Sequence, residues 1–396
     1  MKDNLLSIYI HIPYCISKCE YCDFYSVPLC KKNETVSDEY VEALCNEIKY
    51  RSAGFKQNKI KSIYIGGGTP SLLTELQLNN IFLSIKSNYS ICENCEITIE
   101  VNPDDISSDK LNIFEKDGIN RISCGIQSLN DEVLHNCKRR AKRSENLKAL
   151  GVLKSWSGLL SLDLISGLPL ETENSFFEGL NIITDLHPHH ISMYSLTVEE
   201  ETPMGQKIIS GKQAYDFNFS DDLWIKGCDF LKSKGYKQYE VSNFALDGYE
   251  CVHNKAYWMH QSYLGFGSGG TGTVYKDDGS GYRWTNIQNE SKYIKFWLDG
   301  CNYPDLMKKL PVIEENISKE ISMFEFFMMG FRLREGVSEN YFRKIFDSEI
   351  DEKYQKIFKK WNELGKMEIA DVNDDRIFRL NDEGILFLNQ LLEDLI

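Results

Sequence analysis

The chain has 396 residues, of which 42% are hydrophobic and 26% charged, and 45 Lys and Arg against 59 Asp and Glu leave a formal net charge of −14. That is a globular balance with room for a large domain and a smaller one. The acidic excess argues against an electrostatic grip on nucleic acid, and no run reaches the ~18 apolar residues of a membrane span.

Leu5 to His11 alternates and is rich in β-formers, so the opening reads as a strand and not as an export signal. Twelve cysteines without such a signal point to a reducing, cytoplasmic compartment. Ser37 to Arg51 reads as a helix with Ser37 as N-cap, because Tyr40, Val41, Leu44 and Ile48 share a face. Further strands are expected at Ile60–Ile65, Glu96–Val101, Arg121–Ile126, Leu159–Ile165 and His190–Leu196. Helices are expected at Leu76–Ile85, Ser107–Lys116, Asp131–Cys137, Ser144–Trp156 and Glu173–Leu186.

Strand, loop and helix repeat six times, which predicts a parallel sheet with helical crossovers, closer to a partial β/α barrel than to a closed eightfold one. In either form the chemistry belongs at the C-terminal strand ends. After Ser195 the rhythm changes. A helix is expected over Phe217–Gly235, a short strand or loop over Tyr239–Phe244, then a glycine-rich YLGFGSGGTGTVY. From about Pro311 the composition turns helical, with ISMFEFFMMGFRL. Trp361 to Ile396 reads as helix, hairpin, helix around Asn373-Asp374-Asp375, like a small winged-helix module without its basic charge. The domains are therefore expected at 1–235, 236–310 and 311–396.

Near the start stands Cys15-Ile-Ser-Lys-Cys19-Glu-Tyr-Cys22, a C-x3-C-x2-C trio. Such thiols can be buried, can bind zinc, or can hold an iron–sulfur cluster. Structural zinc wants four ligands, and no fourth Cys or His follows at short range. A four-iron cluster on three cysteines leaves one iron open for a small molecule. Cys92-Glu-Asn-Cys95 is a second pair, read as incidental because it stands alone in a predicted loop. Cys30, Cys45, Cys124, Cys137, Cys228, Cys251 and Cys301 read as core or incidental thiols. Gly66-Gly67-Gly68-Thr69-Pro70 follows the second strand, where glycines let a backbone approach a ligand; no Lys-Ser/Thr follows it, so it is not a phosphate loop. Glu100, Gln127, Arg139 and Asp163 lie at or beyond strand ends. For each the alternative is plain: a solvent-facing carboxylate, or for Arg139 a basic surface run Lys138-Arg139-Arg140.

The cysteine spacing resembles the radical S-adenosylmethionine (SAM) signature, and the whole chain from about residue 5 resembles the HemN/HemW family. The matching pieces are Tyr9-x-His11-x-Pro13 before the cysteines, GGGTPSLL, EVNPDD, GIQSLND, DLISGLP, HISMYSLTVEEETPM, YEVSNFA, HNKAYW and GFRLREGV. The resemblance implies a radical SAM core, a partial (β/α)6 barrel, with a C-terminal extension. It implies a [4Fe-4S] cluster on Cys15, Cys19 and Cys22. It implies SAM contacts at Tyr9, Tyr21, Gly67, Gly68, Thr69, Glu100, Gln127, Arg139 and Asp163.

The HemN enzymes oxidatively decarboxylate coproporphyrinogen III in porphyrin biosynthesis and carry a fourth cysteine two residues after the third. Phe24 stands there in this chain. The HemW branch lacks that cysteine and carries H-N-x-x-Y-W, present as His253 to Trp258; it is regarded as binding haem and passing it to apoproteins. The expected function is thus haem chaperone, with coproporphyrinogen III dehydrogenase as the alternative and a zinc-binding scaffold as a third reading. The implied partners are haem, a receiving apoprotein, a flavodoxin- or ferredoxin-like electron donor, and a second copy through an apolar C-terminal helix. His253 is an axial-ligand candidate or a hydrogen-bonded core residue; Tyr257 and Trp258 stack on a porphyrin or simply pack. Two departures stand out: the family's Gly-Arg-x-His is Lys138-Arg139-Arg140-Ala141, and its GPGAHS is GSGGTG, with Ser268 for Pro and Thr271 for His.

Overall fold

A computed structural model describes residues 5–29, 35–299 and 312–396. Cys30, Cys301 and the expected C-terminal start at Pro311 lie outside them. The repeating units run β1 (Leu5–Ile12), α1 (Asp38–Arg51), β2 (Lys59–Gly67), α2 (Glu75–Asn88), β3 (Ser90–Val101), α3 (Ser108–Asp117), β4 (Arg121–Gln127), α4 (Asp131–Asn136), α5 (Arg143–Leu153), β5 (Leu159–Ser166), α6 (Glu173–Thr184) and β6 (His190–Ser195). Ser37 caps α1, accepting from the Tyr40 N–H at 3.3 Å. Thr74 and Gln77 form a reciprocal capping box on α2.

Strands β1 to β6 pair in parallel in chain order. Period-two alternation sorts their side chains. On β1, Leu6, Ile8, Ile10 and Ile12 are fully buried in the apolar core, whereas Ser7, Tyr9 and His11 look to the inner face, where Ser7 meets Ser62 and Tyr9 stacks on Tyr64. The outer face is thus greasy and the inner face polar, which leaves the barrel interior free for a site.

After β6 come α7 (Pro203–Ile209), α8 (Phe217–Ser233), β7 (Lys237–Gln238), β8 (Asn243–Ala245), α9 (Val252–Trp258), β9 (Tyr263–Phe266), β10 (Thr271–Tyr275), β11 (Gly281–Asn286), α10 (Glu290–Asp299) and β12 (Val312–Ile317). The full sheet has 12 strands in the order β12-β11-β10-β9-β1-β2-β3-β4-β5-β6-β8-β7. Strand β9 lies parallel to β1, so a seventh parallel strand comes from the glycine-rich stretch, to which no strand is assigned from sequence. Gly265 permits it: a Cβ there would meet the Thr271 carbonyl oxygen at 1.9 Å.

The Cys92–Cys95 pair lies within β3, not in a loop before it. The register against β2 jumps from Ile60↔Ile91 to Ser62↔Glu96, and the bulge so formed takes up the pair. The C-terminal part holds α11 (Lys319–Gly330), β13 (Val337–Ser338), α12 (Glu339–Phe346), α13 (Glu352–Glu363), β14 (Met367–Val372), β15 (Asp375–Leu380) and α14 (Leu388–Leu395). Its three strands form a separate sheet over a phenylalanine-rich core of its own. No helix among the described residues is long and apolar enough to cross a membrane.

Candidate cofactor site at the mouth of the barrel

A cavity of about 470 Å³ opens at the C-terminal ends of β2 to β6. Its lining brings together Cys15, Cys19, Tyr21, Cys22, Gly67, Gly68, Thr69, Glu100, Gln127, Arg139 and Asp163, residues from stretches more than a hundred positions apart. The cysteine loop leaves β1 and returns through a short parallel pairing of Tyr14–Cys15 with Val27–Pro28. Between the second and third cysteine, Glu20 is 2% exposed and is held by Lys138 at 2.7 Å and Lys207 at 2.5 Å. The Glu20 N–H donates to the Cys137 carbonyl and the Glu20 carbonyl accepts from the Met204 N–H, both at 3.0 Å. The loop is therefore stitched to the end of α4 and the start of α7.

The thiols fit a metal cluster. All three face one cavity and none is in a disulfide. Thr69 Oγ1 donates to Cys15 Sγ at 3.5 Å, and the Arg139 guanidinium donates to Cys19 Sγ at 3.6 Å. Burial pushes the Cys22 thiol up to about 11 and Cys15 upward. Among the described residues, no three His, Cys, Asp or Glu side chains are grouped to hold a single ion.

Across the cavity, the Tyr64 hydroxyl donates to Glu100 Oε1 at 2.8 Å and the Gly67 N–H to Oε2 at 3.1 Å. Burial, with repulsion from Asp163, raises the Glu100 carboxyl to about 7 against the pull of these bonds. Asp163 accepts from Ser123 at 2.8 Å and Ser161 at 3.2 Å, and burial raises it as well. Gly67 sits at φ +113°, where a Cβ would strike the His11 ring at 2.6 Å, so only glycine turns the chain here. Arg139 Nη2 bonds the Gly125 carbonyl at 2.6 Å and Asn102 Oδ1 at 2.9 Å, and its Nε is left without a partner. Gln127, at φ +65°, has a buried Oε1 without a partner in the same cavity. A buried acceptor, a buried donor and two raised carboxylates form a polar wall built for a ligand with hydroxyls, an amine and a carboxylate.

The run Lys138-Arg139-Arg140 divides by role. Arg139 and Arg140 both line the cavity, Arg140 while paired with Asp104 and Asp105, and Lys138 pairs with Glu20. Four predicted positions lie away from this cavity. Tyr9 turns to a neighbouring one of about 330 Å³ beside β9 and β10, and Tyr257 lines that same cavity. His253 is 2% exposed, with Nδ1 3.0 Å from Ser62 Oγ and Nε2 3.3 Å from the Tyr257 hydroxyl. Both ring nitrogens are engaged, and burial lowers its pKa to about 3; this is a neutral, hydrogen-bonded core imidazole. Trp258 lies under the Arg332 guanidinium at 5.1 Å, against the C-terminal part. Sequence reasoning missed Tyr64, Asn102, Ser123 and Tyr194, which also line the main cavity. Alternation points to three of them: Tyr64 pairs with Tyr9 across β1 and β2, and Ser123 and Tyr194 lie on strands flanking Asp163.

A parallel partial barrel whose first loop carries three cysteines into the cavity at its mouth is the architecture of a radical SAM protein. Comparison with known proteins agrees. Residues 9–181 match the radical SAM superfamily and residues 317–387 the HemN C-terminal domain. The chain is 33% identical to the heme chaperone HemW of Escherichia coli, over 98% of this chain and 97% of that one. It is likewise 33% identical to the heme chaperone HemW of Buchnera aphidicola from Acyrthosiphon pisum, again over 98% and 97%. The solved structure of coproporphyrinogen III oxidase HemN from Escherichia coli superposes with a TM-score of 0.81 at 20% identity, covering 100% of this chain and 90% of that one. The chain belongs to the HemW family of radical SAM proteins.

Proposed function

We propose that this protein is a cytoplasmic haem chaperone that carries a [4Fe-4S] cluster on Cys15, Cys19 and Cys22, binds SAM in the same cavity, and passes haem to an apoprotein. The observation that carries the reading is the family membership together with Phe24, 64% exposed where the oxidase branch has its fourth cysteine. When bound, the cluster supplies a low-potential electron to SAM, drawn from a flavodoxin- or ferredoxin-like donor. The chain's own residues do the rest. Arg139 holds positive charge beside Cys19 and offers its unpartnered Nε to a carboxylate. Glu100 and Asp163 accept from ribose hydroxyls, Gln127 Oε1 accepts a further donor, and the Gly67–Thr69 turn lets backbone meet the amino group. Tyr21 closes the wall beside the cluster loop.

The test is anaerobic. Cluster-reconstituted protein, with Cys19→Ala as control, is given SAM, a reductant and coproporphyrinogen III; separately, it is loaded with haem and mixed with an apo-cytochrome. Haem transfer without protoporphyrinogen is the expected result. Cys19-dependent protoporphyrinogen would overturn the chaperone reading in favour of the dehydrogenase.

A further inference from the structure

Consecutive residues after α4 each touch the cysteine loop. The Cys137 carbonyl accepts from the Glu20 N–H at 3.0 Å, Lys138 pairs with the Glu20 carboxylate at 2.7 Å, and the Arg139 guanidinium donates to Cys19 Sγ at 3.6 Å. The turn that spaces them so has a definite form. The Lys138 N–H returns to the His135 carbonyl at 3.0 Å and the Arg139 N–H to the Leu134 carbonyl at 2.9 Å, the paired bonds of a Schellman helix end. Such an end needs a left-handed residue, ordinarily glycine. Lys138 takes that place at φ +53°, so the turn carries an ammonium that glycine would not offer. From α7, Lys207 reaches the second carboxylate oxygen of Glu20 at 2.5 Å, and the Met204 N–H donates to the Glu20 carbonyl. Glu20 thus has its N–H, its carbonyl and both carboxylate oxygens engaged. Val133, Cys137 and Met204 share a small apolar core against which Tyr21 packs, so α4, α7 and the cysteine loop meet there as well.

Resting on the reading of Arg139 as the partner of the SAM carboxylate, we propose that Glu20 is a positioning residue. It locks the end of α4 to the cysteine loop and so fixes the Arg139 guanidinium between Cys19 and the bound carboxylate. Glu20 is not among the residues that line the cavity, so its effect passes through Arg139. The other end of that guanidinium is held by the Gly125 carbonyl and Asn102 Oδ1, which leaves Nε for the ligand. Only the end at Cys19 depends on where the cysteine loop lies. A carboxylate that is 2% exposed, between lysines that are 67% and 43% exposed, is a demanding joint: with one partner gone, a charge is left buried or a cation is left over.

The experiment reads Glu20→Gln, which keeps the size of the side chain but offers one acceptor oxygen to two lysines. In the cluster-free, full-length chain, hydrogen–deuterium exchange should quicken at least about tenfold over residues 17–22 and equally over 134–140. In the reconstituted protein, iron per chain should stay parental while SAM, followed by equilibrium dialysis and by its effect on the EPR signal of the reduced cluster, binds at least about tenfold more weakly. Two changes at Lys138 isolate the turn. Lys138→Gly loses the ammonium but keeps the left-handed backbone and should cost less than about threefold in SAM affinity. Lys138→Val, whose branched side chain resists that backbone, should match Glu20→Gln. If Glu20→Gln takes up no iron, the Lys138 pair decides on the same criteria. Parental SAM affinity at full iron in Glu20→Gln or Lys138→Val overturns the proposal, and so does faster exchange confined to 17–22. Failure of the parent itself to take up iron or SAM overturns the cofactor reading instead, a result distinct from any variant pattern.

Discussion

The floor and the mouth of the barrel are lined by the same strands and the same residue types, yet they do different work. On the floor, Glu96 accepts from Arg121 Nε at 2.9 Å, the Val252 N–H at 3.1 Å and the His253 N–H at 2.9 Å. Arg121 also reaches the Tyr249 and Glu250 carbonyls, so one buried ion pair fastens the start of α9 beneath the sheet. His190 bridges Ser161 at 2.7 Å and the Tyr239 hydroxyl at 3.0 Å in the same manner. Four residues further along β3, Glu100 is held by a phenol and one backbone N–H, and its carboxyl is raised to about 7. The lesson concerns partners, not residue types: the Glu96 carboxylate has its own cation and serves as architecture, whereas Glu100 has none and faces the cavity. His253 belongs to the floor by this criterion, although its motif suggests chemistry.

The comparison can be broken in four places. The largest effect is at the mouth: Cys19→Ala should reduce iron and sulfide per chain to background after anaerobic reconstitution, while far-UV circular dichroism stays as in the parent. On the floor, Arg121→Ala leaves Glu96 buried without its cation and should cost ~3–5 kcal/mol in urea unfolding; parental stability would mean that the floor is not fastened by this pair.

Next comes Glu100→Gln. The folded-state pKa is raised, so the folded chain holds the proton; the associated stability is present below the unfolded value of ~4.3 and is lost as pH rises through about 7. The cluster-free parent should therefore lose up to ~3 kcal/mol between about pH 5 and pH 8, and the Gln variant should lack that slope. An identical slope in both would assign it to another group. The smallest effect is Ser62→Ala on the floor, expected to cost ~1 kcal/mol and to leave cluster and SAM loading unchanged.

Much of this was legible in the sequence because alternation and turn chemistry are local. The strands of the repeating units, the Ser37 cap and the gathering of Glu100, Gln127, Arg139 and Asp163 around three thiols all follow from strand ends converging in a parallel sheet. What escaped was set by distant partners. No strand is legible at β9 because glycines crowd the stretch, and only the proximity of β10 and β1 makes Gly265 the residue a strand requires there. Tyr9 is expected beside SAM by resemblance; its ring stacks on Tyr64, which lines the main cavity, and its hydroxyl meets His11, while the Tyr9 side chain itself borders the neighbouring cavity with Tyr257 and Tyr263. Nothing local to H-N-x-x-Y-W reveals that Ser62 and Tyr257 share the imidazole between them, or that Arg332 from the C-terminal part covers Trp258.

The Glu20 stitch bears on how such a protein lives with oxygen. Small zinc modules collapse when stripped, because the metal is their core. Here the loop between Cys19 and Cys22 is anchored by a buried carboxylate between two lysines and by backbone bonds to Cys137 and Met204, none of which involves a thiol. The loop that carries Cys19 and Cys22 is therefore held in place by contacts that need no inorganic partner. If the proposed cluster is lost to air, a socket anchored in this way should take up iron and sulfide again without the chain unfolding.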